Sequence, residues 1–283
     1  MQAHDQNLSA EQLSFDSFKQ EILKDYRVAV ESREASLMGR REVLGGKAKF
    51  GIFGDGKEIA QVAWAKFFKP GDFRSGYYRD QTFMMASGLM TVEGFFAQLY
   101  ADPDTEREPM SAGRQMNGHF ATPFVNEQGE WLNLAELKNV SADISPTAGQ
   151  MPRGLGLAFA SSCFRKTEEL HQYTSLSNKG NEVCFTTIGD ASTSEGHFWE
   201  TINAAGVLQV PLVVFVWDDG YGISVPKKYQ TTKASISDAL SGFEHDGARN
   251  GLDIYKVKGW DYAALCETIE QAVSKTRETH IPC

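Results

Sequence analysis

Near the start of the chain, apolar residues return at three- and four-residue steps: Phe15, Phe18, Ile22, Leu23 and Tyr26. That spacing predicts a helix over residues 11–44, closed by Gly45 and Gly46. A glycine-rich turn, GIFGDGKE at 51–58, leads into a second helical pattern through Ile59, Val62, Ala63 and Phe67, which Pro70 and Gly71 stop. From about 101 to 142 no period is sustained. The stretch is rich in Gly, Pro and Asp and reads as a long loop region, of the kind that often carries function. Order then returns. Pro152 suits the first turn of a helix that runs on through Leu155–Phe164, with Gly154 and Gly156 small enough for close packing. VCFTTIG (183–189) is an apolar run of strand length. Phe198, Ile202, Ala205 and Leu208 then share one helical face, and Pro211 precedes a second apolar run, LVVFVW (212–217). Strand, helix and strand with continuously apolar strands predict a parallel sheet buried on both faces. A last helix is expected over about 262–277. The fold class is therefore α/β, a parallel sheet flanked by helices, with an N-terminal helical segment over 1–45 and the main domain over 46–283. His280, Ile281, Pro282 and Cys283 read as the beginning of one more buried strand, so the natural polypeptide is expected to continue.

Composition narrows the function more than the fold. A chain of 283 residues, 41% of them hydrophobic, can build one large domain or two modest ones. Its net charge of -9 argues against nonspecific nucleic-acid binding, and it has no basic run to favour an anionic membrane. MQAHDQNLSAEQ has no basic region followed by an apolar core, and no apolar stretch reaches the roughly 18 residues of a membrane span. Cys163, Cys184, Cys266 and Cys283 are scattered without a CxxC, as expected of reduced thiols in a cytoplasmic protein.

Candidate chemistry lies where the two apolar runs end. The first ends in Gly189-Asp190-Ala191-Ser192 and the second in Trp217-Asp218-Asp219-Gly220-Tyr221. Asp190 and Asp219 are 29 positions apart, the length of one strand–helix–strand crossover. Ligands of open α/β sheets sit beyond the carboxyl ends of the strands. Two carboxylates at neighbouring ends could thus share one hard cation such as Mg²⁺, which takes a few protein oxygens plus phosphate and water. Small residues at 189 and 191 would admit a phosphate to backbone N–H groups, and a helix starting near Glu195 would present its positive end. Taken singly, each piece is also a plain turn: a GD before a helix is common, and DDG turns tightly by itself.

The stretch GDASTSEGHFWETINAAGVLQVPLVVFVWDDGYGIS (189–224) resembles the thiamine-diphosphate motif of the alpha subunits of 2-oxo-acid dehydrogenases, which begins GDG, continues SEG-x-x-x-E and ends NNGY-x-IS. GKEIAQVA (56–63) is similar to that family's GQEA-type helix start, YYRD (77–80) to its Tyr-Arg pair, GRQMNGHF (113–120) to the GRQM-x-x-H of branched-chain enzymes, and ISPTAGQMPRGLGLAFA (144–160) to its cofactor cradle. The resemblance implies a thiamine-diphosphate-binding fold and oxidative decarboxylation of a 2-oxo acid, branched-chain favoured, with acyl transfer to lipoyl. Pyruvate or acetoin relatives and a noncatalytic alpha-type domain stay open as alternatives. No GxGxxG follows a strand, which argues against an NAD-binding Rossmann enzyme.

By the same resemblance, Asp190 and Asp219 would hold Mg²⁺ through their side chains and Tyr221 through its carbonyl. Tyr78 and Arg79 would meet the diphosphate, Gly189, Ala191 and Ser192 would line it, and Ser145 and Thr147 would lie against the aminopyrimidine. Read without the family, Arg79 beside Asp80 could be a surface pair, Ser145-Pro146-Thr147 a plain turn and His119 a structural histidine; His197 faces outward on its helix. Four departures stand out. GDG has become Gly189-Asp190-Ala191, the paired asparagines Asp218-Asp219, the arginine before them Trp217, and the potassium-site Ser and Thr have become Ile144 and Gly149, so no potassium ion is expected. The implied partners are a beta-type subunit or fused domain that supplies the activating glutamate, in an alpha2-beta2 assembly, and a lipoyl acyltransferase component.

Overall fold

In a computed structural model of the chain, residues 14–283 are described. The expected first helix is α1 (Phe15–Leu44), and its residues 11–13 lie outside the described part. Ser14 caps it, its hydroxyl accepting from Ser17 N. The large apolar residues that announced this helix do not face the core: Phe15, Phe18, Leu23 and Tyr26 are all at least half exposed. The buried stripe is instead Ala29, Ser32, Ala35, Ser36 and Gly39. Small residues let α1 approach α2 (Glu58–Ala65), α3 (Gln81–Ala86) and α4 (Val92–Leu99) closely. Ser32 and Ser36 meet the α3 residues Thr82 and Gln81 through buried hydrogen bonds of 2.7 and 2.8 Å.

The sheet is wholly parallel, with spatial order β2-β1-β3-β4. β3 (Cys184–Gly189) and β4 (Leu212–Trp217) are the two apolar runs, paired in register from Cys184↔Leu212 to Gly189↔Trp217. The other two strands were hidden in the sequence. β1 (Phe73–Ser75) has three residues with an arginine in the middle, and β2 (Asn139–Val140) has two, inside the segment read as a loop. The rest of that segment is irregular, as its composition implied.

Both faces of β3 are covered, for the reason its unbroken apolar character implied. Phe185 packs on one side into a core with Trp64, Phe68, Phe83 and Val213. Cys184 and Ile188 point to the other, toward Met151, Ala158, Phe198 and Ile202. That second face carries α5 (Gln150–Lys166) and α6 (Gly196–Leu208). The first carries α2 and α8 (Tyr262–Thr279), with Trp64 as its fully buried centre, 4.2 Å from the Phe83 ring and 4.6 Å from Phe215. Three residues of β4, Val214 to Val216, are only half-buried. The last residues lie beside β4: Cys283 N donates to the Leu212 carbonyl (3.0 Å) and Val214 N to that of Cys283 (2.8 Å). Beyond β4 come the short hairpin of β5 (Tyr221–Gly222) and β6 (Val225–Pro226), and α7 (Ile236–Leu240).

Of the two glycines expected to allow close packing, one does. A Cβ on Gly154 would lie 2.1 Å from Thr186 Oγ1 of β3, whereas one on Gly156 would meet nothing within 4 Å. Gly154→Ala is therefore expected to lower stability by about 1–3 kcal/mol, the usual cost of overpacking. Gly156→Ala, in mid-helix, should be neutral or slightly stabilising. Thermal unfolding of the two variants checks the contrast.

Candidate functional site

The site is organised by a residue that belongs to none of the motifs above. Arg74, the middle of β1, is completely buried. Its Nη1 donates to both Asp143 oxygens at 3.1 Å, its Nε and Nη2 to Asp80 Oδ2 at 3.1 and 2.6 Å, and Nη2 also to the Tyr77 carbonyl at 3.0 Å. A guanidinium this deep persists only with its charge paired and its donors used. Gly76 makes room for it, since a Cβ there would lie 2.2 Å from Nη2. Asp80 accepts further bonds from the Trp217 indole (3.1 Å) and the Thr187 hydroxyl. One ion triad thus ties the turn after β1, the loop before α5 and the ends of β3 and β4 together. Asp80, which could have been a surface partner of Arg79, belongs to Arg74 instead.

Asp190 and Asp219 follow the ends of neighbouring parallel strands, whose last pair is Gly189↔Trp217. Asp190 Oδ1 accepts from Ala191 N at 2.9 Å and Oδ2 from Gly220 N at 3.0 Å, which stitches the two tips together. Its pKa is raised by burial and by the negative charges of Asp219 and Asp218, so the three carboxylates share one field. Asp219 Oδ1 accepts from Tyr221 N at 3.2 Å. Lys227 N donates to the Gly220 carbonyl, which makes Tyr221↔Pro226 a pair without mutual hydrogen bonds. The Tyr221 carbonyl therefore faces away from β6, on the side where its own N–H meets Asp219. Among the described residues no three His, Cys, Asp or Glu side chains gather to hold a metal. The available donors are two carboxylates and this carbonyl.

The departures from the resembling motifs fit locally. A Cβ on Gly222 would come within 2.5 Å of Ala191 Cβ, so Gly222 leaves the space that the Ala191 methyl needs. A Cβ on Gly189 would approach the Tyr77 hydroxyl to 3.3 Å. Tyr77, not noticed in the sequence, packs 4.7 Å from the Tyr78 ring, and burial together with Asp80 pushes its phenol well above the usual range. Tyr78 is half-buried beneath Arg79, whose guanidinium lies 5.5 Å from its ring. Arg79 donates to the Phe53 carbonyl at 2.6 Å, and its own carbonyl accepts from Gln61 at 2.8 Å. The glycine-rich 51–58 turn is thereby fastened to the YYRD turn.

Ser145 and Thr147 are exposed on the loop before α5. Ser145 Oγ lies 3.0 Å from Nε2 of the buried His119, whose Nδ1 is 3.2 Å from the Met116 carbonyl. A carbonyl can only accept, so in the neutral ring Nδ1 carries the proton and Nε2 accepts from the serine. His119 also lines a cavity of about 200 Å³ with Arg114, Gln115 and Asp143. Ser192 is half-buried in the short turn between Asp190 and α6, and the Ala191 N–H is engaged by Asp190. His197 is exposed.

A helix-flanked parallel sheet with polar residues gathered beyond the carboxyl ends of β3 and β4 defines an open-sheet α/β protein, a class in which ligands sit beyond the strand ends. The chain belongs to the dehydrogenase E1 component family, whose pattern matches residues 29–283. It is 31% identical over 229 residues to the 2-oxoisovalerate dehydrogenase subunit alpha of Bacillus subtilis, covering 80% of this chain and 59% of the relative. It is 27% identical over 264 residues to the pyruvate dehydrogenase E1 component subunit alpha of Acholeplasma laidlawii, 92% of this chain and 61% of that one. A mitochondrial 2-oxoisovalerate dehydrogenase subunit alpha of Caenorhabditis elegans is 27% identical over 227 residues, 80% of this chain and 44% of the relative. The chain thus spans roughly half the length of these relatives. No helix among the described residues is long and apolar enough to cross a membrane.

Burial pushes the Asp143 carboxyl up to about 7 in spite of Arg74. The unfolded chain releases this proton near pH 4 and the folded one only near 7. Between those values the folded state binds more protons, so stability from this group is complete below about pH 4 and is lost as pH rises through 7. His280, lowered to about 4 by burial, slopes the other way, and comparison with a variant cancels it. In denaturant titrations, the stability of wild type relative to Asp143→Asn is expected to fall from pH 4 to pH 7 and level above. A difference that rises over that interval would contradict this assignment.

Proposed function

We propose that this chain is the alpha-type, cofactor-holding part of the decarboxylating component of a 2-oxo-acid dehydrogenase, working with thiamine diphosphate and Mg²⁺ in a thiamine-diphosphate-binding fold. The observation that carries this reading is that Asp190 and Asp219 follow the ends of adjacent parallel strands, where Asp190 accepts from the N–H of Gly220, the residue after Asp219. Mg²⁺ commonly takes one or two carboxylates and completes its shell with phosphate oxygens and water. Asp190, Asp219 and the Tyr221 carbonyl form a donor set of that size.

When bound, thiamine diphosphate supplies the electron sink for loss of carbon dioxide from a 2-oxo acid. The chain's own residues bind and orient. Arg79, held by the Phe53 carbonyl and lying over the Tyr78 ring, would meet a diphosphate oxygen. Gly189 and the Ser192 backbone would line the same end, with the N-terminus of α6 following at Gly196. Ser145, its hydroxyl proton directed at His119, keeps oxygen lone pairs for a donor such as an amino group, and Thr147 lies beside it on the loop. Ile144 and Gly149, at the positions of the family's potassium-site Ser and Thr, offer no side-chain oxygen, and Ile144 Cδ1 would meet a Cβ on Gly149 at 2.7 Å. A beta-type partner is the source of the activating glutamate, and the acyl group passes to a lipoyl arm of a partner acyltransferase. The GRQM at 113–116 and the branched-chain relatives favour a branched-chain substrate over pyruvate.

Together with a beta-type partner, the chain is expected to bind thiamine diphosphate in a Mg²⁺-dependent way by calorimetry, and to turn over 3-methyl-2-oxobutanoate faster than pyruvate. Asp190→Ala should weaken cofactor binding by more than roughly a hundredfold, beyond what loss of a supporting residue costs. Asp219→Asn, which keeps an oxygen donor, should leave it largely intact. No binding by the wild type with partner present would overturn the reading in favour of a noncatalytic module. Preference for pyruvate would overturn only the substrate class.

A further inference from the structure

Lys57 stands at the N-cap of α2, and its ammonium meets Asp219 Oδ2 at 3.0 Å, across 162 positions of sequence. Its side chain is 12% exposed although that of Asp219 is 57% exposed, so the lysine lies along the protein and presents only its end to the carboxylate. The backbone that carries it is fixed. A Cβ on Gly54 would lie 2.4 Å from the Arg79 carbonyl, and Gln61 bonds both the Lys57 and the Arg79 carbonyls.

Three carboxylates lie within electrostatic reach of one another where this ammonium arrives. Asp190 has both oxygens on backbone N–H groups, and Asp218 pairs with Lys227. Asp219 has one oxygen on Tyr221 N, and Lys57 holds the other. The motifs that these segments resemble carry a neutral glutamine at position 57 (GQEA) and a neutral asparagine at position 219 (NNGY). Here both positions are charged, with opposite signs, and they touch.

We propose that Lys57 is a built-in counter-cation of the metal site, one that occupies Asp219 Oδ2 until a divalent ion displaces it. The inference rests on the function proposed above and concerns how that site is loaded. An ammonium on a flexible four-carbon stem is a compact charge that can withdraw without rearranging the backbone. While in place it offsets the extra carboxylate and relieves repulsion among Asp190, Asp218 and Asp219. A divalent ion therefore enters a preformed site by exchange, and the lysine moderates the affinity.

Mn²⁺ is the probe, with free Mn²⁺ followed by electron paramagnetic resonance in titrations of the full chain with its beta-type partner, without and with thiamine diphosphate. Wild type is compared with Lys57→Gln, Asp219→Asn, the double variant and Lys227→Gln, each first shown by circular dichroism to be folded. Lys57→Gln is expected to tighten Mn²⁺ binding about two- to fivefold, the scale of a partly exposed ion pair. In the Asp219→Asn background the same change should have almost no effect, and Lys227→Gln should tighten binding less than Lys57→Gln. In metal-free protein, Lys57→Gln should lower the melting temperature, and saturating Mn²⁺ with cofactor should abolish the difference. Weaker or unchanged Mn²⁺ binding by Lys57→Gln would overturn the proposal. Equal tightening with and without Asp219, or by Lys227→Gln, would also overturn it, since the effect would then be a general field. If the wild type binds no Mn²⁺ even with cofactor and partner, the proposed function itself falls and this inference with it.

Discussion

One buried guanidinium holds the site in shape. Arg74 lies between Asp80 and Asp143 with no exposure to solvent, and its pair with Asp143 joins segments 69 positions apart. Such a pair contributes little net stability against an apolar replacement, yet losing one partner leaves an uncompensated buried charge costing about 3–5 kcal/mol. Its value is therefore in specifying one arrangement. Asp80 fixes the Tyr77–Asp80 turn and, through the Trp217 indole and the Thr187 hydroxyl, the ends of β3 and β4. Asp143 fixes the start of the loop that carries Ser145 and accepts from Phe120 N beside His119. Each expected ligand contact hangs on a segment that this triad or its neighbours position.

On that frame, charge governs the outer part of the site. Asp190, Asp218 and Asp219 crowd the strand tips, a placement that repels itself unless cations intervene. Lys57 and Lys227 intervene from two different elements. The replacement of asparagines by aspartates is thus matched locally by lysines, which explains how an acidic variant of the motif keeps its tips together.

What the sequence revealed follows from the physics of each segment. β3 and β4, buried or half-buried throughout, are continuous apolar runs and could be read directly, as could the crossover spacing that sets Asp190 beside Asp219. β1 could not, because three residues around an arginine look like a surface turn; only the tertiary placement of Asp80 and Asp143 makes that arginine tolerable inside. β2, with two residues, has too little length for any period. In α1 the period was legible but the face was not: Phe15, Phe18 and Tyr26 pointed to one side, while the packed side is a stripe of Ala, Ser and Gly chosen for close approach to α2 and α3. Lys57 and Tyr77 escaped notice because their meaning depends on partners more than a hundred positions away, Asp219 in one case and Gly189 in the other.

The proposed function requires a single ion to bridge positions 190 and 219. Anomalous-difference density from crystals of the chain with its beta-type partner, grown with Mn²⁺ and thiamine diphosphate, addresses this directly. The expected result is one peak within coordinating distance of both carboxylates and of the Tyr221 carbonyl, with Lys57 no longer on Asp219. A peak bound elsewhere, or cofactor density with no metal between those two strand tips, would contradict it.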